Sequence, residues 1–177
     1  LFGLLLGLKN LDTWPFPDPV VLQYRFRPLD RQGRTPLLDD EAFDSHERFQ
    51  VEFRARRPGS LRAYAWDRAQ SRLVEACPGE ICRNFATNQI FAIPGSGFVT
   101  DDVPGPESLY VVFGSELYEP FLPGLPGGSE TDAVQSLKER SGACETGIAE
   151  QSRDRGWMEL RSDCDSAVFA RLTIQHK

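Results

Sequence analysis

The chain has 177 residues, 40% of them hydrophobic and 26% charged, enough to bury the core of one ordinary domain without help from a metal. Its 26 acidic residues outnumber 20 basic ones, and the formal charge of -6 denies it the basic footprint that nucleic acid requires. Fifteen glycines, thirteen prolines and a single methionine suit short strands joined by many turns better than a helical bundle.

The chain opens on an apolar run, Leu1, Phe2, Leu4, Leu5, Leu6 and Leu8. This run is shorter than the about 20 residues a membrane-spanning helix needs, and it suits the tail of a signal or anchor, or a docking segment. Pro15, Pro17 and Pro19 then exclude helix and interior strand, leaving an extended connector on which Trp14 and Phe16 are placed to touch a surface. Residues 1–19 are therefore expected to dock the chain on a partner or membrane, with Leu1, Phe2, Leu4, Leu5, Leu6, Leu8, Trp14 and Phe16 making the contact. The alternative is an extra strand lying along the domain. Residues 20–177 are expected to form a single β-sandwich domain.

Leu22, Tyr24 and Phe26 alternate with Gln23, Arg25 and Arg27, the period of a half-buried strand. The clearest signal spans Phe49 to Arg56. There Phe49, Val51, Phe53 and Ala55 share one face, and Gln50, Glu52, Arg54 and Arg56 share the other. Pro58-Gly59 supplies a turn, Leu61 to Trp66 resumes as a strand, and Arg72 to Ala76 follows another turn, which reads as an antiparallel meander. Gln89 to Ile93 and Leu109 to Phe113 are more continuously apolar and suit central strands, with a loop from Gly95 to Glu107 between them. Arg54, Arg56 and Arg57 read as part of a solvated face.

One helix is expected near residues 130–140. Ser129 is placed to cap it, Asp132 sits at the reciprocal capping position, Val134 and Leu137 form an apolar stripe, and Gly142 stops it. Trp157 to Arg161 and Ala167 to Ile174 close the chain as strands. The whole reads as mainly β, an antiparallel β-sandwich of about eight strands with one short helix.

Cys77, Cys82, Cys144 and Cys164 are even in number and lack zinc or redox spacing, while only two histidines are present. Two disulfides are expected, and with them export to an oxidising compartment. Pro78-Gly79 makes a tight turn between Cys77 and Cys82, so the expected pairs are Cys77–Cys82 and Cys144–Cys164.

No catalytic motif stands out. A Cys144–His176 pair lies in no motif, Gly95-Ser96-Gly97 lacks the spacing of a nucleophile elbow, and phosphate-cradling loops are missing. Asp39, Asp40, Glu41 and Asp44, and also Asp101 and Asp102, are the acids most able to hold a cation or exchange protons. Neither group alternates as a calcium loop does. No cofactor and no metal are expected.

Several features from Phe49 to Glu116 recur together: Gly59 and Leu61, Pro78 after Leu73-Val74, Ile93-Pro94, and Pro104-Gly105-Pro106-Glu107-Ser108-Leu109 leading into Tyr110-Val111-Val112-Phe113. The block resembles a bacterial family of β-sandwich domains of unknown function. That family occurs in envelope and secreted proteins and is also appended to caspase-like peptidases and kinases. Ser60 stands where the family places an aromatic after the turn glycine, and Cys77 departs in the same way beside Pro78. The resemblance implies an accessory β-sandwich and supplies no catalytic residue. The expected function is that of a non-catalytic accessory or interaction domain of the bacterial cell envelope. It would be periplasmic or extracellular, membrane-associated, and docked on a protein partner such as an integral membrane complex. An enzyme with an unrecognised carboxylate site is the alternative.

Overall fold

The alternation of apolar and polar side chains lays down the first two strands. The structure is a computed structural model and describes residues 20–30, 42–76, 85–100, 105–114, 128–145, 150–152, 156–162 and 167–177. It places β1 at Val20–Pro28 and β2 at Arg48–Ala55. The two pair antiparallel, with Leu22 opposite Ala55 and Tyr24 opposite Phe53, so their apolar faces coincide. Phe49, Val51, Phe53 and Ala55 are all buried.

The remaining elements are β3 (Ser60–Asp67), β4 (Arg72–Glu75), β5 (Ile90–Val99), β6 (Gly105–Gly114), α1 (Glu130–Ser141), β7 (Cys144–Glu145), β8 (Glu150–Ser152), β9 (Trp157–Arg161) and β10 (Val168–His176). They assemble two five-stranded sheets, ordered β5-β2-β1-β9-β8 and β4-β3-β6-β10-β7. The pairing is antiparallel except where β7 runs parallel to β10. The fold is therefore the expected β-sandwich. Its strands exceed eight because β7 and β8, of two and three residues, are too short to leave a periodic signal.

The inner faces supply one core. Leu22 and Phe26 of β1, Phe53 of β2, Leu61 of β3, Val111 and Phe113 of β6, Leu160 of β9 and Leu172 of β10 meet between the sheets. A second, smaller core lies outside the second sheet. There Ala133 and Leu137 of α1 cover Tyr64, Leu73, Tyr110, Val112 and Phe169. Burying a leucine such as Leu137 stabilises by about 1.5–3 kcal/mol, so the helix is held mainly by this contact rather than by its own propensity.

The helix ends as its sequence requires. Ser129 Oγ accepts from the backbone N–H of Asp132 at 3.1 Å, and Gly142 closes the helix at φ 57°. The side chain of Asp132 departs from the expected reciprocal box: its carboxylate accepts from the Ser129 hydroxyl at 2.7 Å.

Three expectations are corrected. Residues 49–76 are not a meander, because β2 lies in one sheet and β3 and β4 in the other. The chain crosses between sheets at Pro58-Gly59. A Cβ on Gly59 would stand 2.7 Å from the carbonyl oxygen of Gly114 and 2.9 Å from the Phe113 ring, so glycine permits this close approach. The expected loop from Gly95 to Glu107 is largely strand, since β5 runs on to Val99 and β6 begins at Gly105. Most consequential is β5: the apolar run Gln89 to Ile93 suits a central strand, yet the strand it begins stands at the edge of its sheet. β6, given the same reading, is central.

Candidate functional site

β5 spans Ile90 to Val99 and contains no charged residue. Against β2 it pairs Ile90 with Arg54, Phe91 with Phe53, Ala92 with Glu52 and Ile93 with Val51, then resumes with Phe98 opposite Phe49 and Val99 opposite Arg48. Between these stretches the strand bulges, and Gln50 Nε2 fastens the bulge by donating to the Pro94 carbonyl at 3.2 Å. Gly97, at φ 84°, lets the strand return; a Cβ there would lie 2.6 Å from Leu29 Cδ1.

On the inner side β5 is anchored by aromatic rings. Phe91 stacks on Phe53 at 5.5 Å and on Phe85 at 3.6 Å, and Phe98 stacks on Phe49 at 5.4 Å. At its two ends Ile90 and Val99 are 54% and 57% exposed, the highest values among the large hydrophobic residues described. Among the described residues β5 pairs with β2 alone. The other sheet edges are blunted: β4 has four residues and carries Arg72 and Glu75, while β7 and β8 have two and three residues.

The outer face beside β5 is polar and engaged within itself. Glu52 accepts from Arg25 at 2.6 Å and from Arg27 at 3.0 Å. Gln23 donates to Glu159 at 2.8 Å and accepts from Arg54 at 2.7 Å. The guanidinium groups of Arg25 and Arg54 lie 4.4 and 4.9 Å from the Trp157 ring and close over it. Arg54 is thus a network member rather than a solvated arginine.

Two other places gather reactive groups. His176 sets Nε2 3.3 Å from Ser45 Oγ and Nδ1 3.9 Å from a Glu107 carboxylate oxygen. The order serine, histidine, carboxylate is that of acyl-transfer enzymes, but 3.9 Å exceeds hydrogen-bond length. The N–H of His46, following the serine, donates to the Thr100 carbonyl at 3.2 Å instead of facing a place for an oxyanion. The same backbone fastens this turn to β10, with Phe43 donating to Gln175 at 2.9 Å and accepting from Lys177 at 3.0 Å.

A cleft of about 430 Å³ opens beside the start of α1, where Asp67, Glu107 and Glu130 gather with Arg68, Arg171 and Trp66, and Val99 borders it. Glu130 accepts from the Tyr110 hydroxyl at 2.6 Å, and Arg171 donates to Ser108 at 2.8 Å, so these groups are bound into the wall. Burial, and then the bond to Glu130, pushes the Tyr110 phenol up to about 12. Burial also raises Tyr64, and the Arg48 guanidinium bonded to Asp30 holds that carboxyl below its usual range.

Of the residues singled out from sequence, Cys144 begins β7 half-buried and carries no free thiol. Cys77, Cys82 and Cys164 lie outside the described residues, so neither expected pair is located. The docking residues Leu1, Phe2, Leu4, Leu5, Leu6, Leu8, Trp14 and Phe16 lie outside them too, as do Asp39, Asp40, Glu41, Asp101 and Asp102. Asp44 is exposed, 3.8 Å from the Lys177 ammonium. Among the described residues no three His, Cys, Asp or Glu side chains group as metal ligands, and no helix is long and apolar enough to cross a membrane.

Sequence reading missed Ile90 and Val99. Their signal was available as a ten-residue strand without a charge. No protein-family model, curated protein or solved structure matches the chain.

Proposed function

We propose that this chain is a non-catalytic interaction domain whose docking element is the outer edge of β5. One observation carries the reading: a ten-residue strand without a charge stands at a sheet edge, with Ile90 and Val99 exposed at its ends. A strand edge presents a row of backbone donors and acceptors, and proteins ordinarily guard long edges with charge, proline, bulges or short length; β5 has a proline and a bulge at its middle, which leaves its two uncharged ends open. An extended segment of a protein partner, added alongside β5, would satisfy those groups and cover the two side chains.

The setting we propose is the cell envelope, with the domain serving as an accessory subunit outside the cytoplasm and close to a membrane. The resemblance to envelope and secreted β-sandwich domains supports it. So do the absence of a free thiol at Cys144 and the apolar, proline-stiffened residues 1–19, which would tether the domain to an integral membrane complex. The proposed disulfides remain Cys77–Cys82 and Cys144–Cys164.

The test is purification from the native source of the natural protein, its Ile90→Lys variant and a variant lacking residues 1–19. The natural protein should carry a stoichiometric protein partner, and Ile90→Lys should lose at least nine-tenths of it. Its melting temperature should be almost unchanged, since an exposed substitution alters stability by about 0.5 kcal/mol or less. The shortened protein should stay folded and leave the membrane fraction. Full retention of the partner by Ile90→Lys refutes β5 as the docking edge, and unfolding of the shortened protein refutes the tether.

A further inference from the structure

We infer that the strand received by β5 is β5 of a second copy of this chain, running antiparallel about a two-fold axis. The inference rests on β5 being the docking edge and names its occupant. Read from its two ends, the strand is nearly symmetric: Ile90-Phe91-Ala92 at one end faces Val99-Phe98-Gly97 at the other, about a centre between Pro94 and Gly95. An isologous interface requires this property, because each residue i of one copy meets residue j of the other, and the pair recurs on the far side of the axis. Placing the axis at that centre sets Ile90 opposite Val99 of the second copy, Phe91 opposite Phe98 and Ala92 opposite Gly97.

The sheet faces agree with this register. Ile90 and Val99 stand opposite Arg54 and Arg48 on β2, which share its outer face, so they meet on one side of the joined sheet. Phe91 and Phe98 stand opposite Phe53 and Phe49, which face the core, and both are only partly buried against it. They meet on the other side, where each completes the burial of its partner. A slip of one residue would set Ile90 against Phe98 and turn every pair onto the wrong face, while a slip of two keeps the faces but loses the Ile90–Val99 and Phe91–Phe98 pairs. Pro94 has no N–H to offer, but it falls in the bulge at the axis, leaving a short ladder on each side. The strand brings no charge to the seam, although each copy carries a net charge of -6.

Sedimentation equilibrium and light scattering on the purified full chain give the first reading. The mass should rise with concentration from 19.9 kDa toward twice that value. Ile90→Lys and Val99→Glu should each stay at the single-chain mass when alone, because each places a charge against an aliphatic side chain at both symmetric positions. Mixed in equal amounts they should form a dimer, since one junction then pairs an introduced ammonium with an introduced carboxylate and the other keeps the natural isoleucine–valine contact. Ile90 and Val99 stand opposite Arg54 and Arg48, six strand residues or roughly 20 Å apart on β2, so the two introduced charges meet only when Ile90 of one copy faces Val99 of the other. Recovery in the mixture also proves that both variants are folded.

A natural chain that remains at single-chain mass into the millimolar range overturns the second copy. If Ile90→Lys then still loses a different protein partner, the docking edge stands and only its occupant changes. A dimer undisturbed by either variant overturns both, and failure of the mixture to associate overturns this register.

Discussion

Replacing Phe53 by alanine removes the ring at the centre of the larger core, where β2 lies between β1 and β5. The ring is fully buried and stacks on Phe91 at 5.5 Å, which stacks in turn on Phe85. Loss of a buried phenylalanine costs about 3–5 kcal/mol, because both the transfer energy and the cavity left behind count against the folded state. Neighbours can relax little here, since Phe53 is flanked by Tyr24 on one strand and Phe91 on the other. Against a total stability of about 5–15 kcal/mol, this is a large fraction. At about 2–4 °C per kcal/mol for a chain of this size, a loss near 4 kcal/mol lowers the melting temperature by about 8–16 °C. The control is the next residue, Arg54→Ala. It gives up the bond to Gln23 and half of the cover over Trp157, together about 1–2 kcal/mol. Thermal and urea unfolding of both variants, followed by circular dichroism, decides the matter. Equal melting temperatures, or a greater loss at Arg54, would refute the assignment of faces and with it the reasoning on β2.

Gly59→Ala should cost about 1–3 kcal/mol, because its Cβ meets the Gly114 carbonyl at 2.7 Å and backbone cannot swing aside; a neutral urea midpoint would show that the crossing is looser. Tyr110 is held protonated to about 12 in the folded chain against an unfolded value of 10.0. The stabilisation this brings is complete below pH 10 and is lost as pH rises toward 12, so Tyr110→Phe should flatten the fall in stability across that window. An unchanged slope in urea midpoints between pH 9.5 and 12 would count against it.

The elements legible in the sequence are those whose signals are local. Phe49, Val51, Phe53 and Ala55 alternate without interruption, and Ser129 and Gly142 mark the helix ends chemically, so β2 and α1 form where sequence places them. What stayed hidden depends on partners far along the chain. Pro58-Gly59 makes a turn equally suited to a hairpin or to a crossing between sheets, and only the approach of Gly114 and Phe113 from β6 decides it. Ser45 and His176 are separated by 131 residues, and no periodicity or motif links them. The apolar stripe expected on α1 packs as it should, with Leu137 buried and Val134 partly buried against the same cluster, but it omits Ala133, which is small enough to carry no signal of its own.

The misreading of β5 has a different origin. A continuous apolar run reports that a strand is shielded from water, but not which molecule shields it. Elsewhere the chain provides its own cover. Helix α1 seals the outer face of the second sheet, the Arg25–Glu52–Arg27 and Gln23–Glu159 bonds saturate the outer face of the first, and three edges are cut short. Only at β5 does the sequence specify a neighbour that no described element provides, and there the strand is ten residues long, uncharged and nearly symmetric about its centre. Two uncharged, apolar strand ends left open at a sheet edge are therefore explained by a neighbour from another chain. The symmetry of its sequence makes that neighbour a second β5.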